Sequence, residues 1–153
     1  MKKINDYRRL LGVTETTGLA ELKTIYRNFM KDWHPDKFQD THEHKELAEE
    51  KSKQFIEAYH FLVSIAPETR LANFSAYTLT VTASGIESFD YKSAVLQISF
   101  LDGNSYEYFG VPKALYVKFV NAPAPARFAR RHICNSFVYR SFNKQAKAET
   151  ATV

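Results

Sequence analysis

The chain has 153 residues, 44% of them hydrophobic and 25% charged, with a net charge of +4, a composition that excludes a disordered tract and fits one domain or two small ones. Its single cysteine, Cys134, excludes an internal disulfide framework and a paired-cysteine zinc site, which favours a reducing compartment. No apolar run approaches the roughly 18 residues of a membrane span, and MKKINDYRRL lacks the apolar core of a signal peptide, so a cytoplasmic chain without membrane contact is expected.

Residues 5–11 read as a short helix with Tyr7, Leu10 and Leu11 on one face, closed by Gly12. From about 18 to 32, Leu19, Leu22, Ile25, Tyr26, Phe29 and then Trp33 recur at three- and four-residue spacing, the stripe of an amphipathic helix. HPDKFQDTHEH interrupts it, and a second long helix follows from about 43 to 63 with Leu47, Phe55, Ala58, Tyr59 and Leu62 inward. A connection this short brings the two stripes together only as an antiparallel hairpin, with His34-Pro35-Asp36 at the bend. Pro67 opens a further short helix, 67–74, with Leu71 and Phe74 as its packing residues.

The period then changes from about 3.6 to 2. Tyr77, Leu79, Val81 and Ala83 alternate with threonines, and Leu96, Ile98 and Phe100 with polar or small residues, so both segments read as strands. Asp102-Gly103 marks a hairpin, and SYEYFG returns from it. Helical spacing resumes at Pro112 with Leu115, Phe119 and Val120, and again from Pro125 to Cys134. The boundary between an all-helical half and a mixed half falls near 75–85. Basic and acidic residues balance over residues 1–74, 12 against 12, whereas 75–153 hold 9 basic against 5 acidic, a weak pointer to an anionic partner of the second half.

By average residue frequencies His-Pro-Asp occurs by chance in roughly one chain in a hundred of this length. Its placement adds specificity: YRNFMKDW precedes it, EEKSKQFIEAYHFLVS follows, DYRRLLGV stands in front and ETRLANF behind. With these features in order, the segment from Asp6 to about Phe74 resembles a J-domain. The resemblance implies a four-helix fold and a co-chaperone that drives ATP hydrolysis in a DnaK-type chaperone, with His34, Pro35 and Asp36 as the trigger and no catalytic residue of its own. Lys23, Arg27 and Lys31, spaced by four, form a basic stripe on the second helix; beside this loop the resemblance assigns them to chaperone binding, with Tyr26 and Lys37 bordering the contact. Asn28 and Asp32 stand where that family often has a basic residue, and Ser52 where the third helix often shows an aromatic, which bears on contact strength and partner choice.

SGIESFDY, AVLQISFLDGNSYEYFGVP, ALYVKFVNA and FARRHI resemble, over about residues 84–140, the KTSC domain, a small module found at the end of some lysyl-tRNA synthetases and alone in bacterial proteins. The resemblance suggests RNA binding, with a protein contact as the alternative; because the chain has no glycine-phenylalanine linker and no cysteine pairs for a zinc-binding substrate module, this half is expected to supply the targeting, to RNA or a client protein. Arg127, Arg130, Arg131 and His132 are suited to phosphates, and Tyr106 or Tyr108, if exposed, to stacking on a base; a pair on one strand face equally fits packing against a helix. Pro123, Ala126 and Arg130 depart from that family's common Ser, Gly and Asn. His42, Glu43 and His44 lack further ligands and read as surface, Cys134 has no base partner, and no phosphate loop or nucleophile motif is found.

The expected fold is therefore an α-helical J-domain (1–74), a linker or first strand (75–85), a KTSC-like α+β domain (84–147) with a small antiparallel sheet of about three strands and one or two helices, and a disordered tail (148–153). No cofactor and no metal are expected. The alternative is an RNA- or nucleic-acid-binding protein in which the helical hairpin is a scaffold.

Overall fold

The structure is a computed structural model that describes residues 2–37 and 42–142; the tail expected at 148–153 lies outside them. The chain divides into two compact units, Lys2–Ala72 and from Asn73 onward. Among the described residues no helix is long and apolar enough to cross a membrane.

In the first unit α1 spans Lys2–Leu11 and buries Ile4 and Leu11. Gly12, at φ +69°, lets the chain turn back so that the Val13 N–H reaches the Arg8 carbonyl at 2.9 Å, closing the helix. The long helices α2 (Leu19–Trp33) and α3 (His42–Ser64) pack as the expected hairpin. Stacked rings join them, Tyr26 on Tyr59 at 4.2 Å and Phe29 on Phe55 at 4.4 Å between centroids. The buried stripe of α3 is Ala48, Ser52, Phe55, Ala58, Phe61 and Leu62. Leu47, read as inward, is 45% exposed; Ala48, one residue on and so 100° round the helix, takes the inward place. The start of α2 has no side-chain cap of its own; both carboxylate oxygens of Glu68 instead accept from the Leu19 N–H at 3.1 Å.

The helix beginning at Pro67 does not end near Phe74. It continues as α4 (Pro67–Ala83), replacing the strand read over Tyr77–Ala83. Tyr77, Thr80 and Val81 are buried, which is helical spacing, and Thr80 points inward because Asp102 accepts its hydroxyl at 2.7 Å. Threonine alternation is a weak local preference that such tertiary bonds override. Leu71 and Phe74, read as packing residues, are 77% and 57% exposed.

The second unit is α+β. Strands β1 (Ile86–Lys92), β2 (Val95–Phe100), β3 (Ser105–Phe109) and β4 (Val138–Phe142) form one antiparallel sheet in chain order. Four strands thus stand where about three were expected. β1 and β2 are joined through Ser93 and Ala94, both at positive φ, a mirror-image turn that matches strand twist. The Ala94 carbonyl accepts from the Gly110 and Val111 N–H groups at 3.0 Å, fixing that turn. Asp102-Gly103 forms the β2–β3 hairpin with Gly103 at φ +93°. The core gathers Tyr77 and Val81 of α4, Leu96, Ile98 and Phe100 of β2, Tyr106 and Tyr108 of β3, Phe119 of α5 (Lys113–Asn121) and Ala129 of α6 (Pro125–His132).

Candidate functional site

α2 stops at Trp33 because the next residue precedes proline, whose ring disfavours the helical region for its neighbour; His34 leaves the helix at φ −62°, ψ 131°. Pro35–Lys37 then make one 3-10 turn, in which the Lys37 N–H donates to the His34 carbonyl at 3.0 Å. The Asp36 N–H donates to His34 Nδ1 at 3.2 Å. Nδ1 is thereby engaged within the turn, which leaves Nε2 as the ring nitrogen for a partner. The Asp36 carboxylate lies 3.5 Å from the same Nδ1, with the His34 and Asp36 side chains 51% and 80% exposed. The tripeptide thus combines a directional ring nitrogen and an acceptor-only carboxylate on a backbone held by its own hydrogen bonds.

Lys23, Arg27 and Lys31 are exposed on α2, and Lys37 is exposed beyond the turn. Tyr26 is half-buried against Tyr59, so its ring supports the hairpin and only part of its edge is available. One contributor was not foreseen as such: the Ser52 hydroxyl, buried on α3, donates to the Trp33 carbonyl at 2.9 Å.

In the second unit the fold separates the residues read together. Tyr106 and Tyr108 are 6% and 0% exposed, so neither offers a face to a base; both meet Tyr77 of α4 instead. The Tyr77 hydroxyl donates to the Cys134 carbonyl at 2.7 Å and lies 3.0 Å from that of Tyr108, which is 3.5 Å from Cys134 Sγ. Burial is the main cause that pushes both phenols and the Cys134 thiol up, away from ionisation. Arg130 Nε donates to the Val81 carbonyl at 3.1 Å, tying α6 to the end of α4. Arg127, Arg131 and His132 remain exposed. With Phe128 and the Ala122–Ala124 loop they line an open cleft of about 220 Å³.

Among the described residues no three His, Cys, Asp or Glu side chains gather as a metal set. His42 Nε2 pairs with Glu46 at 3.0 Å on an exposed helix face.

Comparison with known proteins adds that a DnaJ domain model matches residues 6–71 and a KTSC domain model residues 82–137. "Chaperone protein DnaJ" of Thermosipho melanesiensis is 42% identical over 65 residues, covering 42% of this chain and 16% of that protein. The protein of the same name from Anaplasma marginale is 36% identical over 89 residues, covering 58% of this chain and 22% of its own length. "DnaJ homolog subfamily B member 6" of Bos taurus is 44% identical over 57 residues, covering 37% of this chain and 22% of that protein. The chain thus spans roughly a fifth of the length of these curated relatives.

Proposed function

Because the chain carries a DnaJ domain followed by a KTSC domain, we propose that it is a cytoplasmic co-chaperone that binds a DnaK-type chaperone and stimulates its ATP hydrolysis. The observation that carries this reading is the His34-Pro35-Asp36 turn, with the His34 and Asp36 side chains exposed and the Asp36 and Lys37 N–H groups both bonded to His34, next to the basic stripe of α2. Lys23, Arg27, Lys31 and Lys37 steer an acidic surface of the chaperone, which makes the encounter fast, weak and sensitive to salt. The turn then favours the chaperone conformation whose own groups hydrolyse ATP. This chain contributes differential binding and no reacting group.

The KTSC domain supplies targeting. Its exposed Arg127 and Arg131, with His132 beside them around the α5–α6 cleft, favour a phosphate-bearing or acidic partner such as RNA or a client protein.

The test is single-turnover ATP hydrolysis by a DnaK-type chaperone of the source organism, with wild type and with His34→Gln verified as folded by circular dichroism. Acceleration on the order of tenfold, lost in the variant, is expected. If both are equally inert with every chaperone paralogue, the hairpin is a scaffold and the nucleic-acid-binding reading replaces this one.

A further inference from the structure

The buried stripe of α3 is apolar at Ala48, Phe55, Ala58, Phe61 and Leu62 but holds one hydroxyl, that of Ser52, which is 5% exposed. A buried hydroxyl without a partner is costly, and a serine within a helix commonly bonds a carbonyl of its own preceding turn. Ser52 instead reaches across the hairpin, donating to the carbonyl of Trp33, 19 positions away in sequence, at 2.9 Å. Trp33 is the last residue of α2, where carbonyls lack an intrahelical donor. Its carbonyl belongs to the peptide that carries the His34 nitrogen.

We propose that Ser52 is a positioning residue of the His34-Pro35-Asp36 turn, its hydroxyl orienting the Trp33–His34 peptide and so the direction in which the turn leaves α2. The inference rests on the reading of that turn as the chaperone trigger. The internal bonds from the Asp36 N–H to His34 Nδ1 and from the Lys37 N–H to the His34 carbonyl give the tripeptide its shape. They do not aim it. The bond from α3 does, because it spans the two helices that the turn connects. A large apolar side chain at position 52 would fill space between the helices, whereas the serine supplies a directional bond, so its loss alters orientation more than packing.

The experiment titrates the full chain against a DnaK-type chaperone in single-turnover ATP hydrolysis, using wild type, Ser52→Ala, Ser52→Thr and Phe55→Leu, each with its unfolding midpoint measured. Phe55 stacks on Phe29 in the same interface and serves as the packing control. Ser52→Ala is expected to lower the maximal stimulated rate roughly five- to tenfold, the effect of one lost buried hydrogen bond. The half-maximal concentration should stay within about twofold, because the exposed stripe that steers encounter is intact. Ser52→Thr, which keeps the hydroxyl, should restore most of the rate, and Phe55→Leu should lower the unfolding midpoint while leaving the maximal rate near wild type. A wild-type rate for Ser52→Ala overturns the proposal while leaving the trigger reading standing. Equal losses for Ser52→Ala and Phe55→Leu in proportion to lost stability overturn it too, by making the hydroxyl merely structural. Inertness of the wild type itself removes the reading on which the proposal rests.

Discussion

The basic residues of α2 and those of α6 look alike in the sequence, and the fold treats them differently. On α2, Lys23, Arg27 and Lys31 recur every four residues, drift by only about 40° per step, and all remain exposed. On α6, Arg127, Arg130, Arg131 and His132 crowd into six consecutive positions, so a period of about 3.6 residues spreads them around the helix. Arg130 consequently faces the Val81 carbonyl while its neighbours line the cleft. Spacing, more than the number of charges, decides whether a basic segment becomes a surface.

The largest expected effect tests whether those two surfaces depend on separate cores. Phe119 is fully buried, in contact with Phe89 and Phe128 of the second unit, so Phe119→Ala should cost about 3–5 kcal/mol. Denaturant unfolding followed by near-ultraviolet circular dichroism should show the loss, and stimulation of the chaperone ATPase should persist. Loss of both would break the comparison by making the α2 surface dependent on the core beneath α6.

A crossed pair of arginine variants sharpens it. Arg130→Gln removes a charge-assisted bond to a carbonyl, worth about 1–2 kcal/mol once its partial exposure is allowed for. It should lower the denaturation midpoint and leave chaperone engagement unchanged. Arg27→Glu should do the reverse: stability within about 0.5 kcal/mol of wild type, but a half-maximal chaperone concentration raised roughly two- to fivefold at low salt. That difference should fade as salt shortens the screening length. Equal effects of the two variants on engagement would mean that both helices face the chaperone.

The same contrast explains what could be read before the fold was seen. The helical hairpin was legible because Leu22, Tyr26, Phe29 and Phe55 combine helical spacing with a polar breaker between two long runs. The His34-Pro35-Asp36 turn was legible because its three residues are consecutive. The strand read over Tyr77–Ala83 failed because those residues satisfy both periods: Tyr77 and Val81 share a helix face as readily as a strand face. What separates the two is Asp102, which accepts the Thr80 hydroxyl from a hairpin far along the chain. β4 lay hidden because Val138–Phe142 mixes apolar, aromatic and charged residues, and its strand character comes from pairing with β3. The β1–β2 turn used Ser93 and Ala94 at positive φ, where a sequence reading looks for glycine or asparagine. Ser52 could be noted as unusual for its position, but its carbonyl partner belongs to another helix.

The smallest expected effect probes a distant support of the α2 surface. Gly18 precedes α2 at φ −82° and ψ 173°, a conformation open to any residue, so its dihedral angles do not require glycine. A Cβ there would meet Glu68 Oε1 at 2.5 Å, the far end of a flexible side chain that must shift to admit it. That oxygen belongs to the carboxylate accepting from the Leu19 N–H, which also places negative charge at the positive end of the α2 dipole. Gly18→Ala should therefore displace the cap and cost about 1 kcal/mol, seen as a lower denaturation midpoint of the first unit. Glu68→Ala should cost a similar amount, and the double variant little more than either alone, since one cap cannot be lost twice. Additive losses would mean that Gly18 serves α2 by some route other than Glu68. A drop in chaperone engagement beyond the lost stability would show that the cap also orients the basic stripe, giving α2 a dependence on α4 like the dependence of α6 on the Val81 carbonyl.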